Sequence, residues 1–185
     1  MKIIEPNAKF SADGIISGPY TTKTAKTYHE ARKFYQSLDE TLSLDTVMYD
    51  VYRTTNETPG AKQDMMWGLT VLYPITVNGE CNMTRGHFHQ DDQRSEVYYG
   101  KEGQGLLLMM DKEGHTWAEK VFEGSIHMID GQHGHRLVNT SLDKPLKVIA
   151  CWSKHAGYDY EYVEDHPFGF RIFNEDGKII AKENQ

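Results

Sequence analysis

The side chains best suited to chemistry fall in a few short runs. Gly86-His87-Phe88-His89 sets two imidazoles two residues apart, and Glu96 follows seven positions after His89. His135 opens a later run, Gly134-His135-Arg136-Leu137-Val138-Asn139. On a strand, side chains alternate between faces, so His87 and His89 share one face and Phe88 takes the other. The turn-like stretch Gln90-Asp91-Asp92-Gln93-Arg94-Ser95 suggests an antiparallel return. That return would bring Glu96 beside the histidine pair, with Tyr98 on the same face of its strand. Three imidazoles and one carboxylate gathered there would hold a divalent metal and leave positions open for a substrate.

The other histidines have plainer readings. His127 reads as a strand-surface residue, His133 as a loop residue, His115 as part of a surface turn and His29 as solvated on a helix. His155, beside Ala156-Gly157, is placed at a pocket mouth. Asp91-Asp92 reads as a solvated loop pair, and Cys151 as a small buried hydrophobe. Met109-Met110 and Met65-Met66 suit core or interface packing, because no thiolate accompanies them.

The elements that must position these residues are mostly strands. Runs rich in β-branched and aromatic residues recur at Thr46–Arg53, Gly68–Thr76, Arg94–Tyr99, Gly105–Met110, Thr116–Phe122, Ser125–Ile129, His135–Asn139 and Leu146–Trp152. A last hairpin, Phe170–Asn174 with Lys178–Ala181, turns at Asp176-Gly177, and Asn78-Gly79 carries the same turn signal. Many short strands at such spacing indicate an all-β sandwich or barrel. One helix is expected, over Thr24–Leu38, where Ala31, Phe34, Tyr35 and Leu38 recur at helical steps. The chain then reads as a single domain: 1–44 an N-terminal extension with that helix, 45–160 the barrel, 161–185 the C-terminal hairpin.

Composition agrees. At 185 residues, 38% hydrophobic and 25% charged, the chain can bury a real core. A net charge of −7 argues against nucleic acid and against an anionic membrane surface as partners. No apolar run approaches the roughly 20 residues of a membrane helix, and the N-terminus lacks a secretory pattern. Two cysteines, Cys81 and Cys151, give no disulfide framework. The expectation is a cytoplasmic protein.

The ligand pattern resembles the cupin superfamily. Gly79, His87, His89, Glu96 and Gly103 stand in the roles of its first motif, and Gly124, His135 and Asn139 in those of its second. Asp130 and Gln132 stand where that family has Pro and Gly. The resemblance implies a double-stranded β-helix, or jelly-roll barrel, with the metal inside. Thr84-Arg85-Gly86-His87-Phe88-His89, Glu96-Val97-Tyr98, His135 to Asn139 and Ala156-Gly157-Tyr158-Asp159-Tyr160 resemble, more closely, the cupin-type glucose-6-phosphate isomerases. That likeness implies a divalent metal, Fe(II) first with Mn(II), Zn(II) or Ni(II) also compatible, on His87, His89, Glu96 and His135. It implies a phosphorylated sugar held by Tyr52, Thr70, Thr84 and Gly86, with Tyr98 and Tyr158 also binding substrate and Tyr160 a catalytic residue of the pocket. Tyr158 departs from the family's histidine, and Trp152-Ser153 from its Tyr-Pro.

Aldose–ketose isomerisation needs a base near two adjacent carbons and stabilisation of an enediolate oxygen. Glu96 is the candidate base as well as a metal ligand. Arg85 or Lys154 would offset the chain's negative charge near the phosphate. A cupin Fe(II) dioxygenase and a non-catalytic sugar-phosphate-binding cupin share the same ligands and stand as alternatives. The expected assembly is a homodimer.

Overall fold

The structure is a computed structural model that describes residues 1–55 and 64–184. Among these, a first hairpin pairs β1 (Lys9–Phe10) with β2 (Ile16–Ser17). The chain continues as β3 (Thr21–Thr27), α1 (Tyr28–Ala31), β4 (Val47–Thr54), β5 (Met65–Leu72), β6 (Thr76–Val77) and β7 (Glu80–Cys81). Next come β8 (Glu96–Glu102), β9 (Gln104–Met110), β10 (Thr116–Phe122), β11 (Ile126–Ile129), β12 (Gly134–Asn139) and β13 (Leu146–Ser153). The last elements are α2 (Tyr160–Asp165), β14 (Phe170–Glu175) and β15 (Lys178–Glu183).

One layer is a six-stranded antiparallel sheet in the order β11-β8-β13-β5-β4-β3. The other is made of β10-β9-β12 and β15-β14-β7-β6. These two parts are joined by residues 82–87, which run beside β12 through bridges Met83↔Val138 and His87↔His135. The core lies between the layers. Tyr49, Leu72, Leu146 and Val148 of the large sheet meet Leu107, Leu137, Val138, Cys81 and Ile172 of the facing strands. A smaller cluster, Ile16, Leu69, Val71 and Ile149, forms on the outer face of the large sheet beneath the first hairpin. The fold is the all-β, two-layered roll that the strand pattern predicts. Among the described residues no helix is long and apolar enough to cross a membrane.

Both Asn-Gly and Asp-Gly signals form tight turns. Asn78 and Gly79 have φ of 50° and 85°, Asp176 and Gly177 50° and 82°, the left-handed pair that a two-residue hairpin requires. The expected N-terminal helix is corrected. Thr21–Thr27 is a strand paired along β4, because a run of threonines suits an extended edge better than a helix interior. The helix starts only at Tyr28, where Thr27 and Glu30 form a capping box, and is followed by a 3-10 turn over Arg32–Phe34. Ala31, Phe34 and Tyr35 are buried as their spacing suggested, but Leu38 is exposed. The 1–44 segment therefore contributes an edge strand to the main sheet. Helix α2 had a legible signal: Asp159 caps it, its side chain accepting from the Tyr162 amide at 3.1 Å.

Asn139 locks the two layers at one end. Its amide donates to the carbonyls of Leu72 (2.9 Å) and Lys144 (3.0 Å), and its carbonyl oxygen accepts from the Ser141 amide at 2.9 Å. Asn139→Ala leaves these buried backbone groups without partners and is expected to cost about 2–4 kcal/mol. Denaturant unfolding measures this; a loss within a few tenths of a kcal/mol would show that the bonds are dispensable.

Candidate metal centre and cavity

The four sequence-predicted ligands converge. One ligand atom from each of His87, His89, Glu96 and His135 lies within 4.8 Å of all the others. They do not meet as a hairpin, however. Strand β8 pairs with β11 and β13, so Glu96 belongs to the large sheet. His87 and His135 bridge each other in the facing layer. The carboxylate and the imidazoles thus approach across the interior, and the loop 90–95 is a crossover between layers. Phe88 points away from the centre, as alternation requires. Its ring lies so close to Gly134 that a Cβ there would sit 2.3 Å from it.

Glu96 Oε2 is 3.1 Å from His89 Nε2 and 3.3 Å from His135 Nε2. His89 Nδ1 bonds the Arg94 carbonyl at 2.7 Å and His135 Nδ1 the His133 carbonyl at 3.2 Å. A carbonyl only accepts, so each Nδ1 carries the proton and each Nε2 turns a lone pair inward. The Nε2 atoms of His87 and His135 are buried without a hydrogen-bond partner. Buried nitrogens left unpaired in this way fit a cation, and imidazole with carboxylate is a divalent-metal donor set. Burial, then His135 nearby, holds the His87 imidazole well below its usual range, in the neutral form that ligates. Burial pushes the Glu96 carboxyl up, but the His135 and His89 imidazoles set against its Oε2 outweigh that and bring it down to about 2. For His89 burial is likewise outweighed, by Glu96 and the Arg94 carbonyl, and its proton affinity rises.

Beside this cluster opens a cavity of about 470 Å³, within the range of small-molecule sites. Thr70, Thr84, Gly86, Tyr98, Tyr158 and Tyr160 line it, together with His87, Glu96 and His135. Tyr158 and Tyr160 stack at 5.7 Å, and Tyr158 meets the His87 ring edge-on at 4.8 Å. Burial raises all three phenols above their usual range, Tyr98 the most and with Glu96 adding to it, so they remain protonated donors at neutral pH. Thr84 Oγ1 accepts from the Leu137 amide at 3.0 Å and keeps its own proton for another partner. The floor is low because Gly68 and Ala150 pair between β5 and β13, next to Tyr98 of β8.

Tyr52 is corrected. On β4 it is Tyr49, Val51 and Arg53 that line the cavity, whereas Tyr52 packs with the outer cluster of Leu69, Val71 and Ile149. The run Tyr49-Asp50-Val51-Tyr52 carries a tyrosine on either face, so alternation alone left the choice open. Asp50 settles it: the carboxylate is buried on the outer side, 2.8 Å from Lys23 and 2.7 Å from the Tyr73 hydroxyl. Arg53 was missed for the same reason. Arg85 lines the cavity but is engaged, 2.6 Å from Glu164 and 4.2 Å over the Tyr160 ring. Lys154 and His155 are exposed and outside the lining. His127 is buried, not a surface residue, held by Glu119 at 2.6 Å and Ser125 at 3.0 Å.

Residues 22–185 match the family model described as Glucose-6-phosphate isomerase (GPI). A relative named Glucose-6-phosphate isomerase from Thermococcus litoralis is 34% identical over 140 residues, 76% of this chain and 72% of its own. One of the same name from Thermococcus kodakarensis is 32% identical over 149 residues, covering 80% and 77%. Among solved structures, vicilin from Corylus avellana overlaps at a TM-score of 0.46 and 14% identity, over 59% of this chain and 30% of its own. That overlap is too loose to bear on the fold, which rests on the strand register.

An imidazole ligates only when deprotonated, and His89, whose proton affinity is raised, protonates first, so metal affinity is expected to weaken as the pH falls through a window that opens above the usual imidazole value of about 6.5. Glu96 plays no part in that loss, since its carboxyl stays ionised to about 2. Elemental analysis after dialysis at a series of pH values reads this directly, and His135→Ala should abolish stoichiometric loading. Affinity that is flat across the imidazole range would contradict the ligand set.

Proposed function

The chain belongs to the glucose-6-phosphate isomerase family, and from that premise we propose that it interconverts glucose 6-phosphate and fructose 6-phosphate through an enediolate. The observation that carries the reading is the convergence of four ligand atoms within 4.8 Å at the wall of a cavity that Thr70, Thr84 and Gly86 also line. His87, His89, Glu96 and His135 hold a divalent metal, Fe(II) first, with Mn(II), Zn(II) or Ni(II) as substitutes. When bound, it supplies Lewis acidity to the substrate's two adjacent oxygens.

The protein's own residues do the rest. Glu96 takes the proton from C2 of the aldose and returns it to C1, while the hydroxyl proton on O2 passes to O1 in the enediolate. Both imidazole contacts fall on its Oε2, and Oε1 is assigned to the transfer. A carboxylate with so low a proton affinity is a weak base, so loosening of the His89 and His135 contacts accompanies substrate binding. Tyr98, protonated and beside Glu96, donates to the sugar oxygens, as do Tyr158 and Tyr160. The hydroxyls of Thr70 and Thr84 and the amide of Gly86 hold the phosphate.

A homodimer belongs to the same reading. On the outer face of the large sheet Ile126 and Met128 are 66% and 72% exposed, and they sit in register with Tyr99 and Val97 of β8. Cys151 and Trp67 extend that apolar face, and a second copy of the chain would cover it.

A coupled assay for fructose 6-phosphate, before and after chelation, tests the activity. Activity lost on chelation and restored by Fe(II) or Mn(II) is expected, without oxygen uptake. Glu96→Gln should abolish turnover while phosphosugar binding stays measurable; undiminished turnover would remove Glu96 as the base. Met128→Lys should shift sedimentation toward the monomer, and an unchanged sedimentation coefficient would move the interface elsewhere.

A further inference from the structure

We infer that Arg136 is a positioning residue for the anionic end of the substrate, aiming the Gly86 amide into the cavity from behind the Thr84–Gly86 turn. The inference rests on the sugar-phosphate reading of the cavity. Arg136 follows His135 on β12, and alternation sends its side chain to the other face of that strand. There it lies 4.6 Å over the Phe168 ring. Nη2 donates to the Arg85 carbonyl at 2.6 Å, and Nη1 points at Met83 Sδ at 3.0 Å. Nε is buried without a partner.

The bond to the Arg85 carbonyl fixes one peptide plane. In a trans peptide the C=O and the following N–H point in opposite directions, and the chain has no cis bonds among the described residues. A carbonyl held toward Arg136 therefore turns the Gly86 N–H away from it, and Gly86 lines the cavity. Thr84 and His87 on either side have amides bonded to Leu137 and His135 carbonyls; the Gly86 amide makes no backbone bond among the described residues. Gly86 takes φ of 78°, and a Cβ there would lie 3.0 Å from Arg136 Nε, so the turn and the guanidinium fit only with glycine.

Charge points the same way. Arginine stays protonated at any physiological pH. Among the described residues no carboxylate lies within ion-pair distance of Arg136. Glu80, the acid whose charge acts on it, is engaged by Arg171 at 2.9 Å and by the Gln36 amide at 2.7 Å. A part-buried cation without an anion is unfavourable unless something balances it. A phosphate monoester at the Thr84 hydroxyl and the Gly86 amide does so through one intervening peptide. The ligand class is thus a phosphorylated small molecule, with free phosphate as its minimal form.

The test compares wild type with Arg136→Met and Arg136→Lys, each checked for metal content and melting temperature. For Arg136→Met, KM for glucose 6-phosphate should rise about 10- to 100-fold with kcat changed far less, and inorganic phosphate should inhibit more weakly by a similar factor. Arg136→Lys, which keeps the charge and loses the fork, should fall between. A folded, metal-loaded Arg136→Met with unchanged KM and phosphate inhibition would overturn the inference while leaving the isomerase reading intact. Should that variant not fold, Arg136→Lys decides: unchanged KM and inhibition overturn it. If the wild type lacks isomerase activity, calorimetry with inorganic phosphate separates the two. Phosphate binding that Arg136→Met weakens sustains the inference without the isomerase, and no phosphate binding to wild type ends it.

Discussion

The structure turns on three imidazole nitrogens and a carboxylate brought together across the interior from different layers. His87, His89 and His135 come from the segment running beside β12 and from β12 itself, and Glu96 from β8 of the large sheet. Without a cation two of the Nε2 atoms have no partner, and each buried group so left costs about 1–3 kcal/mol. A divalent ion removes that penalty and ties the layers together at the same point. Because a site of this kind exists only in the folded chain, metal affinity is also folding free energy. Under the proposed function, catalytic competence and stability would therefore share one set of side chains.

The cavity is built by contrast with its surroundings. The chain carries a net charge of −7, yet Lys26, Arg53 and Arg85 all border this space. Two of them are balanced at the rim, Lys26 by Glu30 at 2.8 Å and Arg85 by Glu164 at 2.6 Å. Such pairs hold side chains in place more than they stabilise the fold. Arg85 over the Tyr160 ring, with Glu164 one turn further along α2, fixes the wall of the pocket at which Tyr158 and Tyr160 stack.

What could be read from the letters was set by local rules, and what could not was set by packing. The spacing of His87, His89, Glu96 and His135 needed only the two-residue period of a strand. The Asn78-Gly79 and Asp176-Gly177 turns needed only residues that tolerate positive φ. The hairpin imagined between His89 and Glu96 failed because a loop of six residues can as easily cross between layers as return beside its own strand. Tyr52 was misassigned and Arg53 missed because the face of β4 is chosen by the Lys23–Asp50–Tyr73 cluster, which joins strands far apart in sequence. Thr24–Leu38 had a helical period at its end and a strand's composition at its beginning. The neighbour β4 decided between them.

The floor of the cavity has a consequence of its own. Gly68 and Ala150 leave room by what they lack, and the two are not equally replaceable. A Cβ on Gly68 would press on Trp152 and on the Tyr52 carbonyl at 2.9 Å, so that position is closed to variation. Ala150 already carries a methyl group and lines the cavity. Under the proposed function, a change in the size of the accepted substrate is therefore easier to accommodate at position 150 than at position 68.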